Sequence, residues 1–290
     1  MQYTHMISSF HSLIQPLSSF LEYLSIPIHP IYLPISLLPF LHAARISIAY
    51  RSLNSQAGGE TTVMANLAGF LLMAWGGSIW SHLFLSLPIP QMLSFKPLLA
   101  YGITHLIIPD ISRLPTLKTL DSFLPLIDAL IRTTAIAAGV EACRTHPVSA
   151  VSESWAIQLF IGAISSSGGG ISAQALRVWE PNWCLARPSF LQEGTMLAGT
   201  DVWSGALIAA IYGALTASHP SYHHFLSKYF PYISPKPILP TVDAKALSAF
   251  ILAVIYCWRT YQVHYISKPK NKKIALSFKR VASNSKSKKE

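Results

Sequence analysis

The chain has 290 residues, 51% of them apolar and 12% charged, with a formal net charge of +10 at pH 7. About a quarter of an ordinary globular domain is charged, so this composition, with its mean hydropathy of +0.39, excludes a soluble core inside a charged shell and points to helices that face lipid. Nine of the 22 basic residues follow residue 267, leaving a nearly neutral body and a basic tail, which excludes the folded basic face that a nucleic-acid partner needs.

Residues 1–30 contain no Lys or Arg, and so lack the basic start of a secretory signal; rich in Pro, Ser and His, they read as an N-terminal interfacial segment, partly helical. Seven apolar spans follow, at about 31–50, 62–87, 95–109, 117–141, 151–178, 196–217 and 244–265. Turn chemistry separates them, including Pro88-Ile89-Pro90, the stretch 109–115, His146-Pro147, Glu180-Pro181-Asn182 and the proline-rich run 231–240. If the basic tail is cytosolic, Arg51, Arg113, Lys118, Arg177 and Arg187 share its side, against Lys96, Arg144, Lys228, Lys236 and Lys245 opposite. Three spans per half invert the second half. The expected fold class is therefore all-α: a polytopic membrane protein with seven transmembrane helices as two inverted three-helix repeats (31–109 and 117–217) plus a seventh helix (244–265). Residues 266–290 are read as a basic, disordered cytosolic tail. It ends Lys286-Ser287-Lys288-Lys289-Glu290, which resembles a dilysine retrieval signal of the endoplasmic reticulum, although a tail so rich in lysine meets that pattern by chance as well.

Two glycine-rich segments mark the second and fifth spans. The first carries Gly76, Gly77 and Ser78, the second Ser167, Gly168, Gly169 and Gly170, and Arg51 and Arg144 lie the same distance upstream of Gly76 and Gly169. Matching glycine interruptions in the two halves of a membrane protein point to a translocation site, with the helix opening there and its freed backbone groups facing water or protein. In the fourth span Arg132 follows Asp128 by one helical turn. A central arginine costs about 2.5–3.5 kcal/mol on insertion scales. Two readings stay open for the pair: a structural bridge between helices, or a site that lines the pore or holds a lipid headgroup. Asp201 and Arg259 fall near span ends, within reach of water, and no role is expected of them. Ser165, Ser166 and Ser167 have no base beside them and read as small residues at a helix interface.

Neither a metal nor a covalent cofactor is expected. Cys143, Cys184 and Cys257 have no disulfide or zinc spacing, and His82, His105 and the pair His223-His224 have no second ligand one turn away. There is no nucleophile elbow, phosphate loop or catalytic carboxylate pair, so no enzyme is expected.

The ordered set of features resembles the trimeric intracellular cation (TRIC) channels. It comprises Gly76-Gly77-Ser78; Pro109-Asp110 at the end of the third span; Arg132 followed by Ile136-Ala137-Ala138-Gly139; Ser167-Gly168-Gly169-Gly170; and Leu176-Arg177-Val178-Trp179. The resemblance spans about residues 30–265 and is strongest from Arg132 to Trp179. It implies a homotrimer with one pore per protomer around the second and fifth helices, conducting potassium and other monovalent cations across an intracellular membrane as counter-ion flow during calcium release. Animal members carry Lys-Glu-Val and an Arg on the fourth helix, associated with phosphoinositide binding. This chain has Asp128-Ala129-Leu130 there and keeps only Arg132, so it reads as a divergent member, with bound anionic lipid as the one non-protein component to look for. Inverted repeats serve secondary transporters too, and a lipid-acting membrane enzyme is a third reading.

Overall fold

The computed structural model describes residues 2–59, 61–108, 117–230 and 235–266. Pro109-Asp110, Arg113, residues 231–234 of the proline-rich run and the tail from residue 267 with its terminal lysines lie outside the described residues. Twelve α-helices make up most of the described residues: α1 Gln2–Ser25, α2 Leu37–Gln56, α3 Val63–Phe84, α4 Phe95–Ile107, α5 Leu117–Phe123, α6 Pro125–Arg144, α7 Ser149–Ser152, α8 Trp155–Leu176, α9 Ser189–Glu193, α10 Thr200–Leu215, α11 Pro220–Tyr229 and α12 Thr241–Tyr261. A short antiparallel hairpin, Pro27–His29 with Leu33–Ser36, joins α1 to α2.

Helix ends follow local chemistry. The Thr62 hydroxyl accepts the Ala65 N–H at 3.2 Å and starts α3, and Ser154 does the same for Ile157 at 3.3 Å and starts α8. At the far end of α8, Arg177 turns left-handed at φ 47° while the Val178 N–H bonds back to the Ala173 carbonyl, closing a Schellman motif. Proline decides the fourth span. Pro125 suits a first helical turn, so the apolar stretch 117–141 is divided at Leu124 into α5 and α6.

Among the described residues three helices are long and apolar enough to cross a membrane, Val63–Phe84, Trp155–Leu176 and α12 with its extension (Thr241–Ile266), with Thr200–Leu215 a shorter apolar helix. The other segments expected to span coincide with helices that do not meet that measure. α1 is more than an interfacial segment. Ile14, Leu17, Leu21 and Leu24 form one helical stripe; Leu21 and Leu24 are buried in a cluster with Leu38, Leu130 and Ala249, and the Ser18 hydroxyl donates to Asp243 at 2.7 Å.

The helix α8 is central: its broadest contacts are with α3, α10 and α6, and α6 in turn packs on α12. The α3–α8 crossing is where the glycines act. A Cβ on Gly76 stands 2.8 Å from the Gly169 Cα, and one on Gly168 stands 2.9 Å from the Gly77 Cα. A Cβ on Gly77 or Gly169 runs into the carbonyl of Ser165 or Met73 respectively. These contacts exchange under a local two-fold axis pairing Gly76 with Gly168 and Gly77 with Gly169, one residue away from the register that Arg51 and Arg144 suggest. The helices cross antiparallel, as an inverted relation between the second and fifth spans requires. Both helices run through the glycines without a break in helical assignment. A helical glycine costs about 0.5–1 kcal/mol relative to alanine, and backbone-to-backbone packing offsets that cost.

Candidate functional site

Two cavities, of about 330 and 320 Å³, lie end to end along α3, α6 and α8. The first is lined by Ser78 and Gln91, by Trp75 and Tyr101, and by Ser165, Ser166 and Ser167. The second opens at the end where α6 begins and α12 finishes, between Asp121, Pro125, Gln174, Arg259 and His264. Ile46, Met73, Asp128, Arg132, Gly170 and Asp201 line both. Of the residues singled out in the sequence, Gly77, Ser78, Ser167, Gly169, Gly170, Asp128 and Arg132 face the first cavity. Gly76 and Gly168 are taken up by the helix crossing instead. At Gly170 a Cβ meets nothing within 4 Å.

Arg132 sits at the junction with more partners than its own helix supplies. Its guanidinium lies 3.5 Å from Asp128 and 3.3 Å from Asp201, donates to the Ser166 carbonyl at 2.6 Å, and stands 5.4 Å over the Tyr256 ring. Asp201 in turn holds Arg259 at 2.8 Å. Four helices, α6, α8, α10 and α12, thus converge on one guanidinium. Neither Asp201 nor Arg259 was expected from the sequence, where both read as span-end residues near water. The available signal was the shortage of counter-charge: one carboxylate at i−4 does not satisfy a five-donor guanidinium at membrane depth. Along the cavities the buried Trp75 indole faces the Tyr101 hydroxyl, and Ser166 faces the Tyr256 hydroxyl.

The wall of the second cavity is tied by ion pairs. Asp121 on α5 takes Arg45 of α2 at 2.6 Å and His264 Nε2 at 3.1 Å, while its carbonyl accepts the Thr260 hydroxyl at 3.2 Å. The serines of the first cavity are braced locally: Ser81 and Ser165 hydroxyls lie 2.8 Å apart, and Ser78 donates to Gln91 at 3.3 Å. His105 lies between Ser47 (2.7 Å) and Asn66 (2.8 Å), stacked on Phe70, and His82 bonds the Ser78 carbonyl. Both are structural contacts. Among the described residues no three His, Cys, Asp or Glu side chains group to hold a metal.

No protein-family model matches the sequence, and no curated protein sequence matches it. The structure is similar to that of a trimeric intracellular cation channel from C. elegans, solved in the absence of Ca2+. The TM-score is 0.50, the sequence identity 20%, and the match covers 85% of this chain and 95% of that one. The chain has a TRIC-like fold. At that identity the likeness is one of architecture, and it covers nearly the whole length of the solved channel. A TRIC-like fold therefore forms here with Asp128 and Asp201 both beside Arg132.

Proposed function

We propose that this protein is a monovalent cation channel, permeable to potassium, of an intracellular membrane such as the endoplasmic reticulum or nuclear envelope, where it carries counter-ion flux. It acts as a homotrimer with one pore per protomer, its C-terminus cytosolic and its outer faces in contact with membrane lipids, and it is not an enzyme. The observation that carries this reading is the pair of cavities, each with polar as well as apolar lining, that meet end to end at Asp128, Arg132 and Asp201. Serine hydroxyls and backbone carbonyls can replace part of an ion's hydration shell, and with no ring of carboxylates the expected selectivity among cations is weak. Arg132 opposes a passing cation, and Asp128 and Asp201 offset its charge. An anionic lipid headgroup is a second partner for Arg132, reached by displacing one of those carboxylates.

Current across a planar bilayer containing the purified protein, under a potassium chloride gradient, tests the reading. The expected result is a reversal potential near the potassium value and unitary steps that shrink or vanish in Gly170→Leu, a position that lines both cavities and where a Cβ meets nothing within 4 Å. Folded protein that passes no current, or that shows only saturable exchange, would overturn it in favour of a scaffold or a transporter.

A further inference from the structure

We infer that Asp201 is the specificity-determining residue of the pathway, the carboxylate that keeps the junction of the two cavities open to cations; this rests on the channel reading. Asp201 opens α10, lines both cavities, and its Oδ1 takes a guanidinium from each side: Arg132 at 3.3 Å and Arg259 at 2.8 Å. The junction holds one guanidinium, Arg132, and two carboxylates, Asp128 and Asp201, and a second guanidinium, Arg259, reaches Asp201 from the second cavity. Further out, Arg45 and His264 are matched to Asp121. With Arg259 counted, the charges at the junction therefore balance, although an arginine stands in its middle. Asp128 bonds Arg132 alone, at 3.5 Å. Asp201 is the carboxylate that both guanidiniums share among the described residues, so its charge cannot be lost without leaving Arg259 unmatched and Arg132 with half its counter-charge. In a site partly withdrawn from water, an excess positive charge repels cations and draws anions. The first turn of α10 favours a negative side chain there as well, because the free N–H groups of a helix start carry partial positive charge.

A purely structural Asp201, tying α10 to α6 and α12, is the rival account, and the two separate by restoring charge without restoring the tie. The full-length protein is reconstituted in planar bilayers and the potassium-to-chloride permeability ratio is read from reversal potentials. Asp201→Asn is expected to lower that ratio about tenfold or more, Asp201→Glu to keep it, and Arg259→Gln to raise it. The double variant Asp201→Asn with Arg259→Gln is expected to return to within about threefold of the starting ratio, because one cation leaves with one anion. An unchanged ratio in Asp201→Asn, or a double variant no better than the single one, overturns the assignment while the channel reading stands. If Asp201→Asn does not fold, Arg259→Gln decides, since that side chain reaches the cavity mouth and an unchanged ratio there overturns the assignment equally. Starting protein that folds but conducts nothing defeats the channel reading itself.

Discussion

At the scale of single residues, the energetics of the junction centre on Arg132. A guanidinium withdrawn from water repays its desolvation only when its donors are filled, and here two carboxylates, a carbonyl and an aromatic face do so. The side chain is 23% exposed, so solvent softens the account. Arg132→Gln removes the charge and leaves Asp128 without its partner; the expected loss is about 1–3 kcal/mol, below the full cost of breaking a buried pair. The same variant is expected to raise unitary potassium conductance, because the cationic group at the junction is gone. Thermal unfolding in detergent and single-channel recording check the two halves independently, and lower conductance in folded protein would show that Arg132 holds the pathway open. Arg132→Lys keeps the charge but not the planar fork that spans Asp128, Asp201 and the Ser166 carbonyl, so it should fall between the two.

At the scale of the element, α8 shows how a helix is built for contact on several sides. Gly168 and Gly169 admit α3, and Gly162 brings its backbone close to that of α10 at Gly205. The C-terminus departs from this economy. Arg177 adopts a left-handed conformation that glycine reaches without steric cost. Its compensating interaction, Glu180 at 3.1 Å, is an exposed i,i+3 pair of small value. Arg177→Gly is therefore expected to stabilise the fold by about 0.5–1 kcal/mol, seen as a rise of about 1–3 °C in the thermal midpoint. A fall would mean that the Arg177 side chain contributes more than its visible partner.

For the whole molecule, the outward surfaces fit a lipid solvent. Leu83 and Phe84 on α3, Leu106 and Ile107 on α4, and Phe250 and Val254 on α12 are all exposed, while ionised groups gather inside or at helix ends. The three cysteines make the proposed topology measurable. Cys143 is fully buried, Cys184 is exposed in the connection after α8, and Cys257 is exposed on α12. In sealed vesicles with the cytosolic face outward, a membrane-impermeant maleimide is expected to label Cys184, to spare Cys143, and to miss Cys257 because lipid covers it. A membrane-permeant reagent should then add Cys257. Labelling of Cys184 only after the vesicles are opened would reverse the assigned orientation.

The sequence by itself determined the solvent of this protein, the helical class and the neighbourhood of the two cavities. Those features are local: an apolar run long enough for a span, an i,i+4 pair such as Asp128 and Arg132, glycines clustered in two matching stretches. The two readings of those glycines are local in origin, because a glycine that weakens an isolated helix and a glycine that admits a second backbone read alike until the partner is present. Only the tertiary structure decided which it was, setting Gly77 against Ser165 and Gly169 against Met73. It also decided the role of Asp201. Far from Arg132 in the chain, the residue follows an unremarkable helix start, and no periodicity links it to a guanidinium on another helix. Charge pairing across helices depends on which faces pack together. That choice is made by the close contacts of α8 with α3, α6 and α10, a property of the assembled bundle and of no single segment.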